Sequence, residues 1–134
     1  MNTVIGDERL LTEADFARLK KLGAGRLPPE LEDVLHAHDT VAHGAVPADL
    51  VTLHAEVRIR DRTSSRLQQI KLCEPAVSNP TLGYVSVLSP LGAALLGLRE
   101  GMVARWALPL GGSAEAVIEK VLFAPAAMGG GAAA

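Results

Sequence analysis

Residues 85–102 read Val-Ser-Val-Leu-Ser-Pro-Leu-Gly-Ala-Ala-Leu-Leu-Gly-Leu-Arg-Glu-Gly-Met, and this stretch decides the fold. The alternating valines at its start are typical of a strand. Ser89 followed by Pro90 indicates a helix start, because serine caps free amides and proline suits the first helical position. An apolar stripe at helical spacing follows, made of Leu91, Ala94, Leu95 and Leu98. Gly97 favours the end of the helix, so the stretch predicts a strand and one short helix.

Strand-like segments lie on both sides of this helix. From residue 51 the alternation is strict, which predicts an inward face of Val51, Leu53, Ala55, Val57 and Ile59. The outward face of the same strand is expected to carry Thr52, His54, Glu56, Arg58 and Arg60. A turn over 61–65 leads to a returning strand, and further strands are expected at 84–88, 102–108 and 116–123. The sequence therefore predicts an α+β fold with a five-strand, mostly antiparallel sheet and one short helix.

The N-terminal third carries helical patterns instead. Thr12 is a candidate cap for a helix that breaks at Gly23–Gly25, and Pro28 suits the start of a second helix. The second helix is expected to present a stripe of Leu31, Val34, Leu35 and His38. These patterns predict a short antiparallel helical hairpin over 1–45, a sheet domain over 46–124 and a disordered tail over 125–134.

Composition excludes several classes of protein. The 134 residues carry a net charge of −2, and aromatic residues make up only 3%. Direct gripping of nucleic acid is therefore disfavoured, because it needs a basic field or several stacking platforms. The single cysteine, Cys73, cannot form an internal disulfide, and no apolar run is long enough for a membrane span or secretory signal. We expect a monomeric cytoplasmic protein with no cofactor.

No motif in the sequence is typical of an enzyme. His36, His38 and His43 lack the spacing of a shared metal site, and the glycine pairs do not form a phosphate loop. Glu30, Glu32 and Asp33 could bind a metal, but acids are also common in the first turn of a helix. A group of arginines on the first strand pair, Arg58, Arg60, Arg62 and Arg66, is either a solvated face or a basic rim for an acidic protein partner.

Residues 85–102, together with Trp106-Ala-Leu-Pro-Leu-Gly111 and residues 46–61, resemble the C-terminal domain of the bacterial Gre transcript-cleavage factors. The resemblance covers most of 46–123 and implies an FKBP-like domain, an antiparallel sheet wrapped on a short helix. It also implies that RNA polymerase is the partner and that nucleic acid is reached only through it. The residues that the resemblance assigns to polymerase binding are Leu88, Ser89, Pro90, Leu91 and Ala94.

The N-terminal part departs from the cleavage factors. Their long coiled coil carries acidic residues at its tip, whereas the expected turn here, residues 23–29, contains no acid. Residues near the expected hairpin tip are Arg26, Leu27, Glu30 and Asp33. In length and layout the chain is similar to the Rnk family, the short-armed regulators of nucleoside diphosphate kinase. That resemblance implies docking near the secondary channel of the polymerase without transcript cleavage.

Two alternatives remain beside this interpretation. A true cleavage factor would use Glu30 and Asp33 as a metal-bridging pair, and an FKBP-like domain could be a peptidyl-prolyl isomerase. A prolyl isomerase needs an aromatic-lined pocket, and the only aromatic residues of the domain are Tyr84, Trp106 and Phe123. In many cleavage factors an acid precedes the Ser-Pro pair and helps docking, and this chain has Leu88 there.

Overall fold

The computed structural model describes residues 9–23, 27, 31–32, 38–41 and 46–123. In chain order the elements are β1 (Arg9–Thr12), α1 (Glu13–Gly23), β2 (His38–Val41), β3 (Glu56–Asp61), β4 (Leu67–Cys73), β5 (Tyr84–Ser86), α2 (Pro90–Leu95), β6 (Val103–Ala107) and β7 (Ser113–Phe123). Two single-turn 3-10 helices, Pro75–Val77 and Pro80–Leu82, lie between β4 and β5.

Five strands form one curled sheet in the order β5-β4-β3-β7-β6. Neighbouring strands are antiparallel except β4 and β5, which run parallel. The predicted α+β fold with a mostly antiparallel five-strand sheet is therefore confirmed. The predicted returning strand at 67–73 has the observed bounds, and its Ile70 and Leu72 face the core as expected. Two register shifts between β3 and β7 mark β-bulges, which increase the local twist of the sheet.

The helix α2 lies against the inner face of this sheet. Ala93, Ala94 and Leu95 are buried in the same core cluster as the inward side chains of β3, β4 and β7. Gly92 allows the close approach, because a Cβ there would lie 2.0 Å from the Ser86 carbonyl oxygen of β5. The predicted stop at Gly97 is also confirmed, since its φ of 87° lies in the left-handed region that favours glycine.

The N-terminal elements differ in part from the predicted hairpin. The helix α1 is confirmed, with Leu19 buried and the Thr12 hydroxyl accepting from the Asp15 amide at 2.9 Å as its cap. Leu31 and Glu32 are helical, but His38 begins β2, so the predicted helical stripe to His38 is wrong. β1 and β2 pair in parallel. Strands of four residues are too short to show a clear alternating pattern, so the sequence did not predict this long-range contact.

The segment 51–55 is another departure from the prediction. Its apolar residues are buried as expected, but the strand begins only at Glu56, and Thr52 is 1% exposed instead of pointing outward. The reason is that Val51 exchanges backbone hydrogen bonds with Leu98 and Gly97, while His54 adopts a φ of 72°. Residues 51–55 form a turn in which the first three side chains are buried alike. The alternation of apolar and polar residues in the sequence therefore does not mark an inner and an outer face there.

None of the described helices is long and apolar enough to cross a membrane.

Candidate functional site

An open apolar groove of about 440 Å³ lies where α2 begins. Pro90 and Leu91 of α2 form part of its wall, Val85 of β5 contributes an inner side chain, and Trp106 of β6 adds the indole. The turn after β6 continues the wall, and its Leu108 is 42% exposed. Apolar walls dominate the groove, and a few polar groups from Gln68, Ser78 and Ser89 lie at its margin. A concave surface of this kind suits the apolar side chains of a partner.

Ser89 fixes the geometry of the groove at the start of α2. Its hydroxyl accepts a hydrogen bond from the Gly92 amide at 3.1 Å and donates one to the Ser86 carbonyl at 2.7 Å. These bonds satisfy a free helix amide and tie α2 to the end of β5. Pro90 follows at the first helical position, where its missing amide costs no hydrogen bond, and its ring is exposed.

The other end of α2 is held by the N-terminal strand. One guanidinium nitrogen of Arg9 donates to the carbonyls of Ala94 and Leu96, at 2.8 and 2.7 Å. The Leu10 amide donates to the Gly97 carbonyl at 3.0 Å. A positive charge at a helix C-terminus also complements the helix dipole. β1 therefore fastens the N-terminal part of the chain to α2, at the end away from the groove.

A second polar seam joins α1 to the loop before β3. The Asp15 carboxylate accepts from the Leu53 amide at 3.1 Å and is 7% exposed. Beside it, Glu74 pairs with Arg18 of α1 at 2.7 Å and with the His54 ring at 2.8 Å. These contacts fix α1 against the sheet domain independently of β1.

The pKa values of the two acids of this seam are shifted in opposite directions, although burial disfavours ionisation of both. Desolvation raises the pKa of Asp15, and the hydrogen bond from Leu53 and the charges of His54 and Arg18 offset only part of that effect. Desolvation also opposes ionisation of Glu74, but the hydrogen bond from His54 and the charge of Arg18 outweigh it, so the pKa of Glu74 is lowered. Asp15 is therefore the acid that burial makes costly to ionise.

The structure separates the residues predicted for partner binding. Ser89, Pro90 and Leu91 lie together on the groove, and Leu88 is half-buried beside them, its amide donating to the Ser86 hydroxyl. Ala94 does not belong to this surface, because at 2% exposed it lies in the core. Sequence reasoning missed the lining by Trp106, Leu108 and Pro109, although the apolar turn Leu108–Leu110 was a usable signal.

The residues predicted near a hairpin tip are mostly outside the described part of the chain. Arg26, Glu30 and Asp33 lie there, as do His36 and His43. Leu27 is described and is buried at 9% exposed in the core cluster, so its side chain is not presented at an exposed tip. Across the described residues, no three His, Cys, Asp or Glu side chains are grouped to hold a metal ion.

Comparison with known proteins shows to which family the chain belongs. Residues 46–123, more than half of the chain, match the family model for the C-terminal domain of the transcription elongation factors GreA and GreB. The chain belongs to the GreA/GreB family. The matched segment contains the whole five-strand sheet, α2 and the groove, so the candidate site lies within the family's own domain.

Individual relatives agree with this assignment. The chain is 33% identical over 84 residues to the regulator of nucleoside diphosphate kinase from Escherichia coli K12, covering 63% of this chain and 62% of that protein. The GreA/GreB elongation factor from Nitrosomonas europaea superimposes with a TM-score of 0.69 at 28% identity, over 87% of this chain and 98% of that one. A structure of the transcription factor Gfh1, at 21% identity and a TM-score of 0.50 over 88% and 99% of the two chains, shares the fold.

Proposed function

We propose that this protein regulates transcription by binding RNA polymerase near its secondary channel, through the groove at the start of α2, and that it does not stimulate transcript cleavage. In this proposal residues 1–45 form a short arm and residues 46–124 form the docking domain. The names of its relatives, a kinase regulator and an elongation factor, support a regulatory role. The partner is a protein, and nucleic acid is met only through it.

The observation that carries the proposal is the exposed Pro90 with the half-buried Leu91 and Trp106 beside it, on a groove that the exposed Leu108 extends. A short helix whose start is capped by Ser89 holds these side chains in place without covering them. Burying such apolar groups stabilises a complex by roughly 25 cal/mol per Å² of apolar surface removed from water. Leu88 adds apolar surface where many cleavage factors have an acid, so docking here relies on apolar contact more than on charge.

The distribution of aromatic side chains supports a binding role over isomerase chemistry. We propose that the sheet domain is FKBP-like in its arrangement of sheet and helix. Of the three aromatic residues in the domain, only Trp106 lines the groove. Tyr84 lines a different hollow, with Lys71 and Gln69. One aromatic wall suits docking of an apolar partner segment better than enclosure of a prolyl ring.

Binding to core RNA polymerase tests the proposal directly. Pro90→Asp puts a charge on the groove at an exposed position, and we expect it to weaken binding by about tenfold or more because the partner would bury that charge. Pro75→Asp is the control, since Pro75 is half-buried and also occupies the first position of a short helix, but it does not line the groove. Absence of binding by the unaltered protein, or equal affinity of the two variants, would contradict the proposal.

A transcript-cleavage assay on backtracked elongation complexes tests the second half of the proposal. We expect no release of short 3′ RNA above the rate of polymerase alone. Efficient release that is lost on changing Glu30 and Asp33 to Gln and Asn would instead establish the cleavage-factor alternative.

A further inference from the structure

The outer face of the sheet, on the side away from α2, is a second surface with its own chemistry. The strand registers place Lys71 beside Glu56, and Gln69, Arg58 and Lys120 side by side in the next row. We call Lys71, Arg58 and Lys120 the cationic triad. Neighbouring strands are about 4.8 Å apart, and diagonal neighbours such as Lys71 and Arg58 are about 7 Å apart.

This face carries an excess of positive charge although the whole chain is slightly acidic. Together with the β3–β4 turn it holds seven cations, Arg58, Arg60, Arg62, Arg66, Lys71, Arg105 and Lys120. The acids there are Glu56, Asp61, Glu115 and Glu119. The full chain has 13 basic and 15 acidic residues, so the remainder of the sequence is acidic on balance.

Ion pairs neutralise the margin of this face, whereas the only acid that the described strands place in its central rows is Glu56, which faces Lys71 from the neighbouring strand. Glu119 pairs with Arg60 at 2.8 Å, and Glu115 pairs with both Arg62 and Arg105. Within the described part of the chain, no salt bridge reaches the cationic triad. Lys71 lies over the Tyr84 ring at 5.8 Å from its centroid, a contact that orients the ammonium but supplies no carboxylate.

Arg58 lies at the centre of this face, and part of its guanidinium has no hydrogen-bond partner in the part of the chain that the structure describes. Its Nε is buried and has no hydrogen-bond acceptor among the described residues. Buried donors are nearly always paired, and leaving one unpaired costs free energy. A carboxylate laid across the triad would not reach this buried nitrogen, but it would bring negative charge to the accessible part of the Arg58 side chain and to Lys120.

The occupant that fits best is an acidic protein segment. An extended chain places alternate side chains roughly 6.7 Å apart on one side, close to the diagonal spacing of Lys71 and Arg58. Single-stranded nucleic acid fits less well, because it needs aromatic platforms for successive bases. The exposed Tyr84 and Phe123 are three strands apart, roughly 14 Å, and Tyr84 is already in contact with Lys71.

We propose that the cationic triad binds an extended acidic segment of a protein partner on the face opposite the α2 groove. This surface is separate from the groove, and it can be tested without polymerase. The partner would lie along β3 and β4, with its carboxylates over Arg58, Lys71 and Lys120.

Fluorescence anisotropy of the full chain with short labelled peptides tests this surface. A peptide of alternating glutamate and serine is the probe, and the same peptide with glutamine replacing glutamate is its neutral control. We expect the acidic peptide to bind at low salt, the neutral one not to bind, and added salt to weaken the complex. No binding of the acidic peptide at low salt would overturn the proposal.

A pair of charge-reversal variants locates the binding surface. Lys71→Glu/Lys120→Glu should weaken peptide binding by roughly tenfold. Lys20→Glu/Lys21→Glu makes the same charge change on exposed positions of α1 and should alter affinity less than about twofold. Equal losses in both variants would mean that only net charge matters, and would overturn the proposal.

Two further arms complete the experiment. Lys71→Gln/Lys120→Gln replaces the first variant if thermal unfolding shows that the charge reversal disturbs the fold, and it should still weaken binding. A short single-stranded RNA that binds more tightly than the acidic peptide, and is lost in the same variant, would assign the face to nucleic acid and contradict the proposal. A failure of Pro90→Asp to affect polymerase binding would leave this surface untouched, so the two proposals fail separately.

Discussion

The two ends of α2 differ in what they contact, although the helix has only six residues. Its N-terminal end is capped by Ser89 and leaves Pro90 exposed on an apolar groove. Its C-terminal end is buried, and Arg9, which lies far earlier in the sequence, donates hydrogen bonds to its carbonyls. One short helix therefore borders an open groove at one end and fixes the N-terminal part of the chain at the other. Substitutions at the two ends should therefore separate binding from stability.

Removing Arg9 should have the largest effect on stability. Arg9→Ala removes two charge-assisted hydrogen bonds and leaves the carbonyls of Ala94 and Leu96 unsatisfied, which we expect to cost about 2 kcal/mol of unfolding free energy. Chemical denaturation measures the loss. Arg9→Lys should recover part of it, because both bonds come from a single nitrogen that an ammonium could replace. If Arg9→Ala lowered the unfolding free energy by less than about 0.5 kcal/mol, the C-terminal end of α2 would not have the stabilising role that distinguishes it from the N-terminal end.

Loss of the Ser89 cap should lower stability less than loss of Arg9, but it should disturb the geometry of the groove more, because Ser89 lies at the groove end of α2. Ser89→Ala removes the acceptor for the Gly92 amide, which we expect to cost about 1 kcal/mol. Ser89→Asp is the useful control, since a carboxylate can also cap the helix. Stability should return in that variant, as measured by thermal unfolding. If Ser89→Ala destabilised the protein more than Arg9→Ala, the relative importance of the two ends would be the reverse of that proposed.

The buried Asp15 provides a pH test of the seam between α1 and the sheet domain. Its pKa is raised in the folded state, so the folded chain holds this proton more tightly than the unfolded chain. Asp15 therefore reduces stability as pH rises from its unfolded pKa through its folded value. Glu74, Asp61 and Glu119, whose pKa values are lowered, act in the opposite direction, and their stabilisation is lost as pH falls.

Asp15→Asn isolates this contribution. Asparagine keeps an acceptor for the Leu53 amide and cannot ionise, so the variant should gain stability relative to the unaltered protein as pH rises above about 3.8, the ordinary value for aspartate. Unfolding followed at a series of pH values measures the difference. A difference that is constant across that range would show that Asp15 does not carry the pH dependence.

Local patterns in the sequence predicted the sheet and α2 well, because strand alternation and the Ser89–Pro90 start act over a few residues. They did not predict β1, β2 or the burial of Thr52, since these depend on contacts between distant parts of the chain. For the same reason Arg9 gave no signal as a partner of α2. The groove was half predicted: Pro90 and Leu91 were identified, whereas Trp106 and Leu108 belong to the next strand and its turn, and reach the groove only through the folding of the sheet.

The most direct test of docking through the groove is the affinity of the full chain for core RNA polymerase, measured side by side for the unaltered protein, Pro90→Asp and Pro75→Asp. Pro90→Asp should change unfolding free energy by less than about 0.5 kcal/mol, because its ring is exposed. We expect Pro90→Asp to bind about tenfold or more weakly and Pro75→Asp to bind as the unaltered protein does. Unchanged binding by a folded Pro90→Asp variant would contradict docking through the groove.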